Sequence, residues 1–125
     1  MTLSKAHSIT GYSQKRAKGD FYPTPPHATE ALLSVEKFEG TILEPACGQG
    51  HISKVLKNNG YAVTSRDLLE YGYGEQGHDF LFFQQANSFD NVITNPPYSM
   101  AKEFVEAALN VSRNKVAMLL KLSFL

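Results

Sequence analysis

At 125 residues the chain makes one domain, large enough to bury a core. Twelve basic and twelve acidic residues cancel, so no global field draws it to nucleic acid or to a membrane surface. The single cysteine, Cys47, excludes an internal disulfide and fits a reducing interior. With no run of about 18 apolar residues and no signal-peptide pattern at its start, the sequence is expected to be a cytoplasmic protein without a membrane anchor.

Residues 1–19 show no sustained period. Lys5, Lys15, Arg16 and Lys18 all precede the first acid, Asp20, so this stretch reads as a flexible basic leader, either solvated or touching phosphate. Residues 20–125 carry the domain. Phe21-Tyr22-Pro23-Thr24-Pro25-Pro26 is an aromatic pair running into a proline-stiffened turn, with Thr24 as a candidate cap and the two prolines in a first helical turn. Ala28, Ala31, Leu32 and Val35 recur at helical spacing and predict a helix over 26–38, ended by Gly40.

A short buried strand is predicted at Thr41-Ile42-Leu43, followed by the turn Glu44-Pro45-Ala46-Cys47-Gly48-Gln49-Gly50. Ile52, Val55 and Leu56 mark a helix that stops at Asn58-Asn59-Gly60, and a second strand, 61–64, closes at Arg66-Asp67. Strand, glycine turn, helix and strand in so short a span imply a right-handed parallel unit. Residues 68–78, with Gly72, Gly74 and Gly77, read as a loop. The apolar run 79–83 suits either a short strand or a hydrophobic anchor. Residues 89–94 form the strand that feeds Asn95-Pro96-Pro97-Tyr98. Ser99 is placed to cap a helix over 99–112, with Glu103 as the other half of the capping pair. The last strand, 115–122, is nearly all apolar, as in strands covered on both faces. The alternation predicts a doubly wound α/β sheet, mostly parallel, with helices on both faces.

Asn95-Pro96-Pro97-Tyr98 is the most informative stretch. Neither proline has an amide hydrogen, and Pro96 drives Asn95 toward an extended conformation. The result is a rigid elbow that presents the Asn95 amide, two carbonyls and the Tyr98 ring to one small volume. Such a frame suits a planar guest bearing an amino group, although a plain surface bend would use the same residues. In an open parallel sheet, ligands bind beyond the carboxyl ends of the strands. The glycine turn, Asp67 and the elbow all fall there. Gly48 and Gly50 allow close approach to backbone amides, and Asp67 is placed to accept from ribose hydroxyls.

Phosphate-binding motifs fit poorly. Ser53 stands where the dinucleotide fingerprint needs its last glycine, and no P-loop run exists. Glu44 at the mouth of the turn would repel a pyrophosphate and favour a cationic amino group. A nucleoside carrying an ammonium group in place of phosphates is S-adenosylmethionine. His27 and His51 read as surface residues, Cys47 as a small packing residue, and the four histidines show no metal-ligand spacing.

Taken together and in order, these segments resemble the amino-terminal part of adenine-N6 (or cytosine-N4) DNA methyltransferases whose cofactor motifs come first. The resemblance covers about residues 20–122. Phe21–Pro25 resembles that family's first cofactor motif, 44–50 its glycine loop, Asp67 its ribose acid, Asp79-Phe80 its adenine-side pair and Asn95–Tyr98 its catalytic motif. It implies a Rossmann-like class I fold with S-adenosylmethionine as cofactor. Tyr22, Thr24, Ala46 and the backbone of Gly48–Gly50 would hold the methionine end, with Glu44 near its amino group. Asp67 would take the ribose and Asp79 the adenine amino group, with Phe80 against the ring. The implied reaction is direct methyl transfer to an adenine flipped out of duplex DNA and stacked on Tyr98. Asn95 and the Pro96 carbonyl would accept hydrogen bonds from its amino group, and Pro97 would stiffen the elbow.

Against the family pattern, the sequence stops after about the fifth strand, before the usual further strands and target-recognition region. No segment is then expected to read a DNA sequence, and 115–122 becomes an open sheet edge, covered by another copy or by a partner chain, unless the chain is a fragment of a longer protein. Two other readings stand beside the DNA enzyme. One is a non-catalytic or degenerate cofactor-binding module with a regulatory role; the other is methylation of RNA adenines or protein glutamines, which share the Asn-Pro-Pro-Tyr pattern.

Overall fold

The computed structural model describes residues 22–120. The basic leader, Phe21 and the distal end of the last predicted strand lie outside the described residues. The elements in chain order are α1 (Pro26–Val35), β1 (Ile42–Glu44), α2 (His51–Asn58), β2 (Val63–Ser65) and β3 (Phe89–Thr94). A 3-10 turn (Tyr98–Met100), α3 (Ala101–Val111) and β4 (Ser112–Met118) complete them. The four strands form one parallel sheet in the order β2-β1-β3-β4.

Successive side chains of a strand point to opposite faces, and the sequence uses both. Leu43 and Val92 join Phe104, Ala108 and Val111 of α3 on one face. Ile42 and Ile93 join Ile52 and Leu56 of α2 on the other, with Phe38 and, more peripherally, Leu32 and Leu33 of α1. The expected doubly wound arrangement therefore holds. The chain leaves β1 toward β2 on one side and β3 toward β4 on the other, so the strand order reverses between β1 and β3. Crevices for ligands form at such a reversal.

The base of the sheet is pinned by polar side chains. Asp90 accepts from the Thr41 amide (2.8 Å) and the Arg113 Nε (2.9 Å). The buried Asn91 donates its Nδ2 to the carbonyls of Glu39 (2.9 Å) and Thr41 (3.2 Å). Gly40, at φ +86°, makes the approach possible, because a Cβ there would collide with the Asp90 carboxyl group. These links fix where β3 starts and hence where it delivers Asn95.

Several boundaries differ from the sequence expectation. The first helix ends at Val35, not 38, because Glu36 is extended (φ −130°) and Phe38 turns into the core edge-on to Tyr61. Thr24 does not cap it; Pro25 holds the cap position without a side-chain hydrogen bond, and Thr24 is buried. The second strand starts at Val63 because the turn after α2 extends through Tyr61, whose amide donates to the Leu56 carbonyl.

Residues 79–83 are no strand. Their amides turn back onto the Asp79 carbonyl (Phe82 at 3.1 Å, Phe83 at 2.8 Å), leaving Phe80 as the hydrophobic anchor and a sheet of four strands. Ser99 lies inside the 3-10 turn, and α3 begins at Ala101 with no side-chain cap, although Glu103 does sit in its first turn. The last strand starts at Ser112 and is half-buried, where full cover on both faces was expected. It is an edge strand whose outer side has no neighbour among the described residues.

Candidate functional site

Two polar constructions meet at the carboxyl ends of β1 and β3. The first is the glycine turn. Gly50 N–H donates to the Cys47 carbonyl (2.8 Å), and Gly50, at φ +87°, opens α2 in a backbone region that costs other L-residues energy. Glu44 ends β1 and is only 1% exposed; its Oε1 accepts from the Ser53 amide (3.1 Å) and the Ser53 hydroxyl (2.5 Å). The Ser65 hydroxyl donates onward to Ser53 Oγ (2.6 Å), so one buried network ties β1, α2 and β2 together. Asp67, also 1% exposed, accepts from the Gly48 amide (2.9 Å) and the Leu69 amide (3.1 Å), which anchors the turn to the end of β2.

The second construction is the elbow. Asn95, Pro96 and Pro97 are buried, and Tyr98 is half-buried at the start of the 3-10 turn. Asn95 Nδ2 donates to the Tyr22 carbonyl at 2.6 Å. A carbonyl can only accept, so this bond fixes the amide's orientation and turns Oδ1 the other way. Oδ1 is buried and has no hydrogen-bond partner among the described residues. Buried acceptors of this kind are rare, because each forgoes its hydration without repayment.

A cleft runs between the two constructions, lined by Tyr22, Thr24, Glu44, Ala46, Cys47, His51, Ile52 and Asn95. Five predicted site residues thus meet at one place: Tyr22, Thr24, Glu44, Ala46 and Asn95. Gly48, Gly50 and Asp67 adjoin it through the turn, whereas Pro96, Pro97 and Tyr98 do not line it. The cleft is narrow, with a free volume of about 10 Å³, room for one water molecule.

Asp79 and Phe80 lie apart from this cleft. Asp79 Oδ1 accepts from the Leu81 amide at 3.0 Å, while the buried Oδ2 has no partner among the described residues. Burial raises the Asp79 pKa above its ordinary value, partly offset by the backbone amides of Leu81 and Phe82. Phe80 is buried against Phe104, with ring centroids 5.3 Å apart, and so serves the core. It also lines the larger cavity of about 400 Å³, on the α3 face, with Leu43, Phe83, Phe89 and Arg66.

Sequence reasoning missed three contributions. His51 was read as a surface residue but is half-buried and lines the cleft. Ser53 appeared only as a failed glycine position, yet it partners Glu44. Tyr73, in the loop 68–78, packs its ring against Gly50. The signal for Ser53 was its spacing of nine from a buried acid across a strand–helix turn. Nothing in the sequence marks His51.

No family model matches the sequence, and no curated protein matches it significantly. Solved structures do match. A 1,6-didemethyltoxoflavin-N1-methyltransferase from Burkholderia thailandensis, bound to S-adenosylhomocysteine, superposes with a TM-score of 0.56 at 14% identity, over 94% of this chain and 60% of that one. The fold is that of the Rossmann-like class I methyltransferases. A TehB-like SAM-dependent methyltransferase from Corynebacterium glutamicum agrees (TM-score 0.53, 16% identity, 94% of this chain, 73% of that one). So does the PH0226 protein from Pyrococcus horikoshii (TM-score 0.55, 23% identity, 74% of this chain, 54% of that one). The chain spans less than two thirds of the Burkholderia and Pyrococcus proteins. No helix among the described residues is long and apolar enough to cross a membrane, and no cluster of metal-ligating residues occurs among them.

Proposed function

We propose that the chain binds S-adenosylmethionine and transfers its methyl group to the exocyclic amino group of an adenine in DNA. The observation that carries this reading is the Asn95 amide: Nδ2 engaged by the Tyr22 carbonyl, Oδ1 buried and without a partner among the described residues, at the head of a proline-stiffened elbow. An exocyclic amino group supplies the donor that such an acceptor lacks.

The donor and acceptor set suits this cofactor. Asp79 Oδ2 is a second buried acceptor, suited to an adenine amino group, and Asp67 stands at the glycine turn where a ribose would lie. Gly48 and Gly50 would bring backbone close to the methionine end, which Tyr22, Thr24, Ala46 and Glu44 would help to hold. The cleft must widen to admit a ligand of this size. When bound, the sulfonium supplies an electrophilic methyl group, so no strong base is required.

The elbow's part is to position and polarise. Accepting from the target amino group, Asn95 Oδ1 and the Pro96 carbonyl shift electron density onto a nitrogen that is otherwise conjugated and poorly nucleophilic. The fixed φ of Pro96 and Pro97 holds the acceptors in place, and Tyr98 offers a ring for the base to stack on. Domain 20–125 would carry these roles, with the outer edge of β4 open to a second copy or a partner chain.

The test is transfer of isotopically labelled methyl groups to duplex DNA, RNA and protein offered in parallel. N6-methyladenine in the DNA alone supports the reading. Label in RNA adenine or protein glutamine moves the substrate and keeps the elbow. Cofactor binding without any transfer favours the regulatory module.

A further inference from the structure

The loop after Asp67 does more than connect β2 to the next segment. Between Gly72 and Glu75 it runs beside the end of β2 as a strap. The Glu75 amide donates to the Ser65 carbonyl (2.9 Å), and the Asp67 amide donates to the Glu75 carbonyl (2.9 Å). Gly74 passes so close to this edge that a Cβ would sit 2.6 Å from the Ser65 carbonyl oxygen and 3.1 Å from the Cys47 sulfur. The Cys47 thiol donates to the Tyr73 carbonyl at 3.6 Å.

From this strap the Tyr73 ring reaches the far end of the glycine turn. A Cβ on Gly50 would lie 2.7–2.8 Å from three of its carbons, so the ring presses directly on the glycine. Lys54 and Lys57 of α2 hold the ring in place, each ammonium 5.2 Å from its centroid. Lys57 Nζ also donates to the Tyr73 hydroxyl (3.1 Å). One four-residue segment therefore touches the start of the glycine turn at Cys47, its end at Gly50, and the acid at Asp67. Gly72, Gly74 and Glu75 are exposed, and Glu75 Oε1 accepts from Arg66 Nε at 3.0 Å, so the Tyr73 ring is the strap's one half-buried side chain.

We infer that Tyr73 is a positioning residue whose ring, carried on the Gly72–Glu75 strap, clamps the glycine turn against Asp67 in the geometry that cofactor binding requires. This rests on reading the cleft as an S-adenosylmethionine site. It also explains why position 50 must be glycine twice over: for its φ of +87°, and for the space that the ring occupies.

Two measurements on the full chain separate the inference from that reading. The first is amide hydrogen exchange of the unliganded protein. Tyr73→Ala should speed exchange at Gly48 and Gly50 by about tenfold relative to Val92 and Ile93 of the central strand, while Tyr73→Phe keeps both protected. The second is calorimetric titration with S-adenosylmethionine, at a temperature where circular dichroism shows every variant folded. Tyr73→Ala should weaken binding about tenfold and Tyr73→Phe less than about threefold. Tyr73→Leu, which keeps apolar bulk, serves if the alanine variant fails to fold, and should fall between the two. A melting temperature lowered with exchange and affinity unmoved would make Tyr73 a stability residue and overturn the inference. Faster turn exchange in a wild-type background that binds no cofactor would keep the clamp but remove its proposed purpose, and the inference would fail with the reading it rests on.

Discussion

The two sides of the cleft are finished to different degrees. On the glycine-turn side, Glu44 is held by Ser53, Ser53 by Ser65, and Asp67 by the amides of Gly48 and Leu69. On the opposite side, Asn95 Oδ1 is buried without a partner among the described residues, and Asp79 carries another such oxygen. Thr29, Asn91 and Thr94 also bury an oxygen without a partner among the described residues, but none of them lines the cleft. A buried acceptor left unpaired costs about 1–3 kcal/mol. The turn is thus a finished cradle, whereas Asn95 at the elbow lines the cleft and, on the function proposed above, its acceptor would be met by an amino group.

Mutations can break this contrast. Asn95→Ala should have the largest effect, lowering methyl transfer by about 10²–10³-fold in a steady-state assay, as loss of one preorganised hydrogen-bonding group does elsewhere. Its melting temperature should fall by no more than a few degrees, since the Oδ1 it removes has no partner among the described residues and only the Nδ2 bond to the Tyr22 carbonyl is lost. Glu44→Ala should do the reverse. It strands the buried Ser53 donors and should cost about 3 kcal/mol in chemical denaturation.

Asp79 sharpens the contrast through pH. Its folded pKa is raised above the ordinary 3.8, so its favourable contribution is complete below that value and is lost as pH rises through the folded pKa. At neutral pH the ionised carboxylate therefore destabilises the fold. Asp79→Asn should flatten the fall in melting temperature above about pH 4 and weaken cofactor affinity. Asp90 runs the other way. Its pKa is lowered, chiefly by the Arg113 hydrogen bond and then by the Thr41 amide, so its contribution is present above the unfolded pKa and lost as pH falls through the folded one. Arg113→Ala should slightly reduce resistance to unfolding between neutrality and acid, the smallest of these effects.

The parts of the fold written in glycine and proline were legible from the sequence. Gly48, Gly50 and Gly60 punctuate β1–α2–β2, and Pro96–Pro97 ends β3, because these residues act through local backbone geometry. What depended on distant partners was not legible. Phe38 ends α1 by packing against Tyr61, and Phe80 keeps 79–83 a turn by burying itself against Phe104. Thr24 and Ser99 carried cap chemistry without cap geometry, since Pro25 and the 3-10 turn occupy those positions. Glu44 and Asp67 could be singled out as candidate site residues from their places beside the glycine turn, but their bonds to Ser53 and Gly48 required the helix to be folded back. His51 lines the cleft through the direction in which α2 leaves the turn, a property that no spacing encodes.

The central claim is that the cradle is complete without the elbow's acceptor. It is tested most directly by calorimetric titration of S-adenosylmethionine into the wild-type chain and Asn95→Ala side by side. The account predicts saturable one-to-one binding in both, with dissociation constants within about threefold. No heat from a folded wild type, or binding lost with the Asn95 side chain, would contradict it.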